Sequence, residues 1–174
     1  SLGGIVASRS VRVGGDAFDS AIIAYIKRKY NLLVGERTAE LIKIEVGSAY
    51  KLEEENTLDI KGRNLVEGMP KNITVHSEEM REALDEPLQR IIEAIKETLE
   101  RTPPELAADI IDHGIMLTGG GALLRGLDQL VSSHTGIDVH VAETPLDCVA
   151  TGAGMVLDNM DLLVEVVADA ERKF

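Results

Sequence analysis

The stretch Ile115-Met116-Leu117-Thr118-Gly119-Gly120-Gly121-Ala122-Leu123-Leu124 decides the fold. Residues 115–118 read as a buried strand that runs straight into three glycines, and a helix carrying Leu127, Leu130 and Val131 follows. A second strand is expected over residues 137–141 and another helix after Thr144-Pro145. Strand and helix alternating in this way imply parallel neighbours joined by a right-handed crossover, and so an α/β fold. In an open parallel sheet, ligands bind beyond the carboxyl ends of the strands, where Gly119, Gly120 and Gly121 fall. Lacking Cβ atoms, they would let the backbone and its N–H groups approach oxygens of a phosphate or ribose. A glycine-rich turn that merely packs against a helix would look the same, and spacing leaves both readings open. The run is not a Walker-type phosphate loop.

Upstream, apolar Ile5, Ala7, Val11 and Val13 alternate with Ser8, Ser10 and Arg12, which predicts a half-buried strand over residues 5–13. Gly14-Gly15 breaks that pattern. Asp16 is expected to cap a helix with Asp19 as a first-turn acid, an apolar face of Phe18, Ile22, Tyr25 and Ile26, and an end near Asn31. The basic run Lys27-Arg28-Lys29 fits the negative end of that helix dipole better than a binding patch. A second helix is predicted from Glu36 to Val46, stopped by Gly47. Glu40 and Lys43 share a face of it, and on spacing alone they read as a surface ion pair worth about 0.2–0.5 kcal/mol.

Residues 51–76 change character, from the acidic Glu53-Glu54-Glu55 to alternation at Leu58 and Ile60, a turn around Gly68-Met69-Pro70, and alternation again at Ile73 and Val75. They predict two short strands of a small separate sheet. Ser77 is expected to cap a long helix bearing Met80, Leu84, Leu88, Ile91, Ile92, Ile95 and Leu99, kinked or interrupted at Pro87. Thr102-Pro103-Pro104-Glu105 has the composition of a capping box opening a helix that ends at Gly114. Residues 161–174 are amphipathic enough for a last helix.

With 174 residues and 44% hydrophobic content, the chain can bury one good core or two small ones. A formal charge of −12 argues against a nucleic-acid partner, whose phosphates need clustered cations. Cys148 is the only cysteine, which excludes an internal disulfide and fits a reducing compartment; it reads as a small buried apolar residue. The spacings of His76, His113, His134 and His140 match no zinc site. With no long apolar run and no signal-peptide pattern, a cytoplasmic protein is expected. The opening Ser1-Leu2-Gly3-Gly4 has hairpin-turn composition, so the natural protein is expected to continue upstream.

Taken together, several motifs carry a family likeness. Gly14-Gly15-Asp16-Ala17-Phe18-Asp19 resembles the strand-to-helix junction of actin and Hsp70-type ATPases, and Gly35-Glu36-Arg37-Thr38-Ala39-Glu40-Leu41-Ile42-Lys43 resembles the adenosine-facing helix of MreB proteins. Thr102-Pro103-Pro104-Glu105-Leu106, Leu117-Thr118-Gly119-Gly120-Gly121-Ala122-Leu123-Leu124-Arg125-Gly126 and Gly152-Ala153-Gly154 are similar to MreB segments in the same order and spacing. The likeness implies the C-terminal half of an actin-like ATPase with a ribonuclease H-like inner subdomain, residues 1–14 and 77–174. A small α+β outer subdomain, residues 15–76, would be inserted in it. It implies that Glu40, Leu41, Ile42 and Lys43 face the ribose and adenine of ATP. Gly119, Gly120, Gly121, Ala122 and Leu123 would line the nucleotide from the opposite side.

The same likeness implies a protein that binds ATP with Mg2+ in its intact form and self-associates into filaments. Those filaments would lie under the membrane and organise the cell-wall synthesis machinery, controlling rod shape. The family's phosphate-gripping glycine hairpins and the acid that orients the attacking water have no counterpart in this sequence, so hydrolysis is expected of the intact protein and not of this chain. An Hsp70-type chaperone ATPase is the alternative, since it shares the junction at residues 14–19. A small-metabolite kinase and a folded remnant without a ligand are more distant readings.

Overall fold

Phe18, Ile22, Tyr25 and Ile26 are buried along one stripe of α1 (Gly15–Tyr30) in the computed structural model, which describes residues 4–159. The helix ends at Asn31, whose φ of 51° is left-handed, a conformation asparagine tolerates better than most residues. Gly14, and not Asp16, occupies the N-cap; Asp16 lies inside the first turn, where the positive end of the dipole favours a carboxylate. Lys27, Arg28 and Lys29 sit in the last turn, as cations should. The second helix, α2 (Glu36–Val46), buries Ala39, Ile42 and Val46 and stops at Gly47.

Three strands, β1 (Leu32–Leu33), β2 (Thr57–Asn64) and β3 (Pro70–His76), form an antiparallel sheet in the order β1-β2-β3. The last two are the strands that alternation predicted; β1 is too short for any periodicity to show. Gly62 admits it, because a Cβ there would stand 2.7 Å from the Leu33 carbonyl oxygen.

The long helix α3 (Ser77–Arg101) is capped by His76 rather than Ser77, the His76 N–H donating to the Glu79 carboxylate at 3.0 Å. Ser77 is buried inside the first turn, and its hydroxyl is engaged instead with the backbone of Asn56. Pro87 does not interrupt the helix. Burial of Met80, Leu84, Leu88 and Ile92 on both sides of it outweighs the roughly 3 kcal/mol that an interior proline costs. Towards its start α3 is tied to α1 by Tyr30, whose hydroxyl donates to Glu79 at 2.5 Å, and by Lys29, 2.6 Å from the same carboxylate. One core runs through α1, α2, α3 and the sheet and continues to Leu124, Leu127 and Val131.

Thr102 does not open the next helix: it caps the end of α3, its hydroxyl donating to the Thr98 carbonyl. Pro103 is the N-cap of α4 (Pro104–His113), which ends at Gly114 as expected. Then β4 (Ile115–Leu117) and β5 (Val139–Val141) pair in parallel, with α5 (Leu127–Thr135) between them in sequence. β4 is half-exposed and not buried, because among the described residues its sheet has only two strands and leaves Met116 open. Cys148, read as buried, is half-exposed at the start of α6 (Cys148–Asp158), where its thiol donates to the Thr144 carbonyl.

Residues 5–13 form no strand. Alternation yields a strand only where a second strand supplies ladder bonds, and the segment instead lies near α3, with Arg9 paired to Glu97 at 2.6 Å. The helix expected over residues 161–174 falls outside the described residues. Among the described residues no helix is long and apolar enough to cross a membrane.

Candidate functional site

Beyond the carboxyl end of β4, the chain turns through Gly119, with φ of +80°, into a 3-10 turn over Gly120–Leu123. The Gly119 N–H donates to the carbonyl of Pro145 at 2.7 Å, binding the glycine bend to the loop that follows β5. Opposite it stands α2. Between the two lies a crevice of about 570 Å³, lined by Glu40, Lys43 and Ile44 on one side and Gly120, Gly121 and Leu123 on the other. Phe18 and Gly15 of α1, Leu124 just past the bend and Leu146 of the loop after β5 complete the lining.

Contacts outside the crevice hold its walls together. Arg125, just past the glycine bend, donates to the Glu45 carbonyl at 2.6 Å near the end of α2, and its own carbonyl accepts from the Ala49 N–H at 2.7 Å. Gly126 has φ of +73°, and a Cβ there would come within 2.7 Å of the Tyr50 Cβ, so this close approach requires glycine. On the other flank, Arg81 of α3 donates to the Ser48 hydroxyl at 2.9 Å and to Glu55 at 2.6 Å, fixing the segment that leaves α2.

The polar groups of the crevice are unequal. Lys43 does not pair with Glu40 as helical spacing suggested; its ammonium lies 2.9 Å from Asp19 Oδ1 and donates to Oδ2 at 3.2 Å. Oδ1 is buried and its contact with the ammonium is an ion pair, while Oδ2 accepts the hydrogen bond. Glu40 is exposed at the rim. Ile44 (58% exposed), Leu123 (56%) and Leu146 (66%) present open apolar surface around these charges, in a chain whose surface is otherwise strongly acidic.

Of the residues singled out in the sequence, Glu40, Lys43, Gly120, Gly121 and Leu123 share this crevice. Leu41 is exposed and Ile42 is fully buried in the core, while Gly119 and the buried Ala122 shape the bend without lining the hollow. Phe18, Ile44 and Leu146 were not foreseen there, nor was the contact of Lys43 with Asp19. Sequence offered a clue only for Leu146, which follows the second strand of the parallel pair and so belongs at the same edge of the sheet. Another hollow, about 500 Å³, lies under Leu99, Leu106 and Ile110 beside Gly114, at the amino end of β4. That is the end at which open parallel sheets do not bind ligands.

The MreB/Mbl protein family description matches residues 1–165. The chain is 55% identical over 163 residues to the cell shape-determining protein Mbl of Bacillus subtilis, covering 94% of this chain and 49% of that protein. It is 55% identical over 162 residues to the cell shape-determining protein MreB of Escherichia coli, covering 93% and 47%. A crystal structure of MreB5 of Spiroplasma citri bound to AMPPNP superposes with a TM-score of 0.89 at 39% identity, covering 95% of this chain and 50% of that one. The chain thus spans about half the length of the curated relatives it matches. On this agreement of sequence along nearly its whole length and of backbone throughout, the chain has an actin-like α/β fold and belongs to the MreB/Mbl family.

Proposed function

We propose that this chain forms one side of the nucleotide cleft of an actin-like cytoskeletal ATPase. The observation that carries this reading is the crevice, which joins Glu40 and Lys43 on α2 to the glycine bend after β4. Its donor set fits a nucleotide. Glu40 can accept hydrogen bonds from ribose hydroxyls, Lys43 can donate to ribose or ring atoms, and Ile44, Leu123 and Leu146 offer apolar surface to a base. A Cβ at Gly121 would meet nothing within 4 Å, so open space lies before that backbone. The relative bound to AMPPNP supports ATP as the ligand; Mg2+ would accompany it in the intact protein.

The intact protein then acts as the family's named members do, in determining cell shape. Nucleotide-dependent self-association into filaments, cytoplasmic and lying against the membrane beside the wall-synthesis machinery, is the form of that activity. Residues 15–76 make the outer subdomain inserted between residues 1–14 and 77–174, a division supported by a separate three-stranded sheet confined to residues 32–76.

Titration of the chain with fluorescent ATP and Mg2+ tests the cleft. Lys43→Met and Gly120→Val should each weaken binding by about tenfold or more, the first by removing a donor and the second by filling the hollow. Affinity unchanged in both would overturn the assignment. Electron microscopy of the intact protein with and without ATP tests assembly.

A further inference from the structure

We infer that Asp19 is a positioning residue for this cleft, holding Lys43 as a directed hydrogen-bond donor to the uncharged nucleoside and removing it as a counter-ion for phosphate; the inference rests on the nucleotide reading above. A lysine at a crevice rim ordinarily sweeps through many rotamers and attracts any anion. Here its ammonium is confined between the two oxygens of Asp19, at 2.9 and 3.2 Å, with the side chains only 16% and 14% exposed. Gly15 leaves the approach open on one side, since a Cβ there would lie 3.4 Å from the Nζ.

The charges then decide which end of a nucleotide this wall accepts. Lys43 contributes one positive charge and Asp19 and Glu40 one negative charge each, so the polar wall carries a net charge of −1. A lone ammonium attracts phosphate at long range, whereas an ion pair has a field that falls off quickly and Glu40 adds repulsion. An ammonium has three N–H donors, and those not turned to Asp19 remain available to neutral acceptors. Phosphates are directed away from α2 and towards the glycine bend.

The test compares adenosine with Mg-ATP as probes for the full chain, by calorimetry, in wild type, Asp19→Asn, Asp19→Glu, Lys43→Met and the Asp19→Asn/Lys43→Met double variant. Asp19→Asn should weaken adenosine by about tenfold while weakening ATP less, because the released ammonium can serve a phosphate. Asp19→Glu should restore the wild-type ratio of the two affinities, and the double variant should be no worse for adenosine than Lys43→Met alone. If Lys43→Met weakens adenosine but Asp19→Asn changes neither affinity nor ratio, the positioning role is overturned and the cleft stands. If wild type binds neither probe, the nucleotide reading itself fails. In case Asp19→Asn does not fold, 15N-lysine NMR of the wild type gives a second measurement. A Lys43 ammonium signal protected from water exchange before ligand is added supports the role, and an unprotected one overturns it.

Discussion

The guanidinium of Arg125 donates to the main-chain carbonyl of Glu45 at 2.6 Å, across 80 positions of sequence. One partner closes α2 and the other follows the glycine bend, so this bond joins the two walls of the crevice. The neighbouring Ala49 N–H to Arg125 carbonyl bond makes the junction two-stranded, with Ser48 and Arg125 bridged in parallel.

Arg125→Ala should therefore act on binding more than on folding. Arg125 is exposed, so loss of its bond should lower unfolding free energy by only about 1 kcal/mol. The walls, then pinned on that side only by the backbone bond between Ala49 and Arg125, should bind fluorescent ATP several-fold more weakly. Urea unfolding followed by circular dichroism, beside the nucleotide titration, separates the two effects. A binding loss no larger than the stability loss accounts for would show that the bond does not set the crevice.

Gly126→Ala should be costlier to stability. Its φ of +73° disfavours any side chain, and the new methyl would meet the Tyr50 Cβ at 2.7 Å. The expected penalty is about 1–3 kcal/mol, measurable as a drop in the urea midpoint. Gly121→Ala, where a Cβ meets nothing within 4 Å and φ is not positive, should leave that midpoint almost unchanged.

The junction of α1 with α3 predicts a pH dependence at both extremes. Burial would raise the Glu79 carboxyl, but hydrogen bonds from Lys29, Tyr30 and the His76 N–H outweigh it and hold the group below its ordinary range. Burial, then the bond to Glu79, pushes the Tyr30 hydroxyl up to about 12. The hydrogen bond to Glu79 raises Lys29 as well. A depressed carboxylate stabilises the fold above its unfolded pKa of 4.5, and that contribution disappears as pH falls through the lower folded value. A raised phenol stabilises below its unfolded pKa of 10.0, and that contribution fades as pH climbs towards about 12. Urea midpoints of wild type and Tyr30→Phe should differ by a constant amount near neutrality and converge in the alkaline window. A difference that stays constant beyond it would contradict the assignment.

Much of this architecture was legible in local patterns. The stripe Phe18, Ile22, Tyr25 and Ile26, the stops at Asn31, Gly47 and Gly114, and the parallel pair around the glycine bend follow from periods and turn residues that act within a few positions. The helix caps were less legible. Ser77 and Thr102 have the chemistry of N-caps, but Asn56 and the Thr98 carbonyl lay within reach and took their hydroxyls. Residues 5–13 alternate like a strand, yet alternation states only which faces differ and supplies no neighbour to bond with.

The crevice divides in the same way. Glu40, Lys43, Gly120 and Gly121 could be named from their likeness to MreB motifs, whereas spacing alone made the first two a surface ion pair and left the glycines undecided. The pairing of Lys43 could not. Helical geometry puts Glu40 within reach of it, whereas Asp19 lies 24 positions away and meets it only because α1 and α2 pack face to face. Sequence by itself determined most of the helices and the strands β2 to β5, since these are set by short-range periodicity and turn chemistry. Tertiary structure alone decided which charge neutralises which and which surfaces enclose a hollow, because those depend on packing between segments that local propensity cannot register.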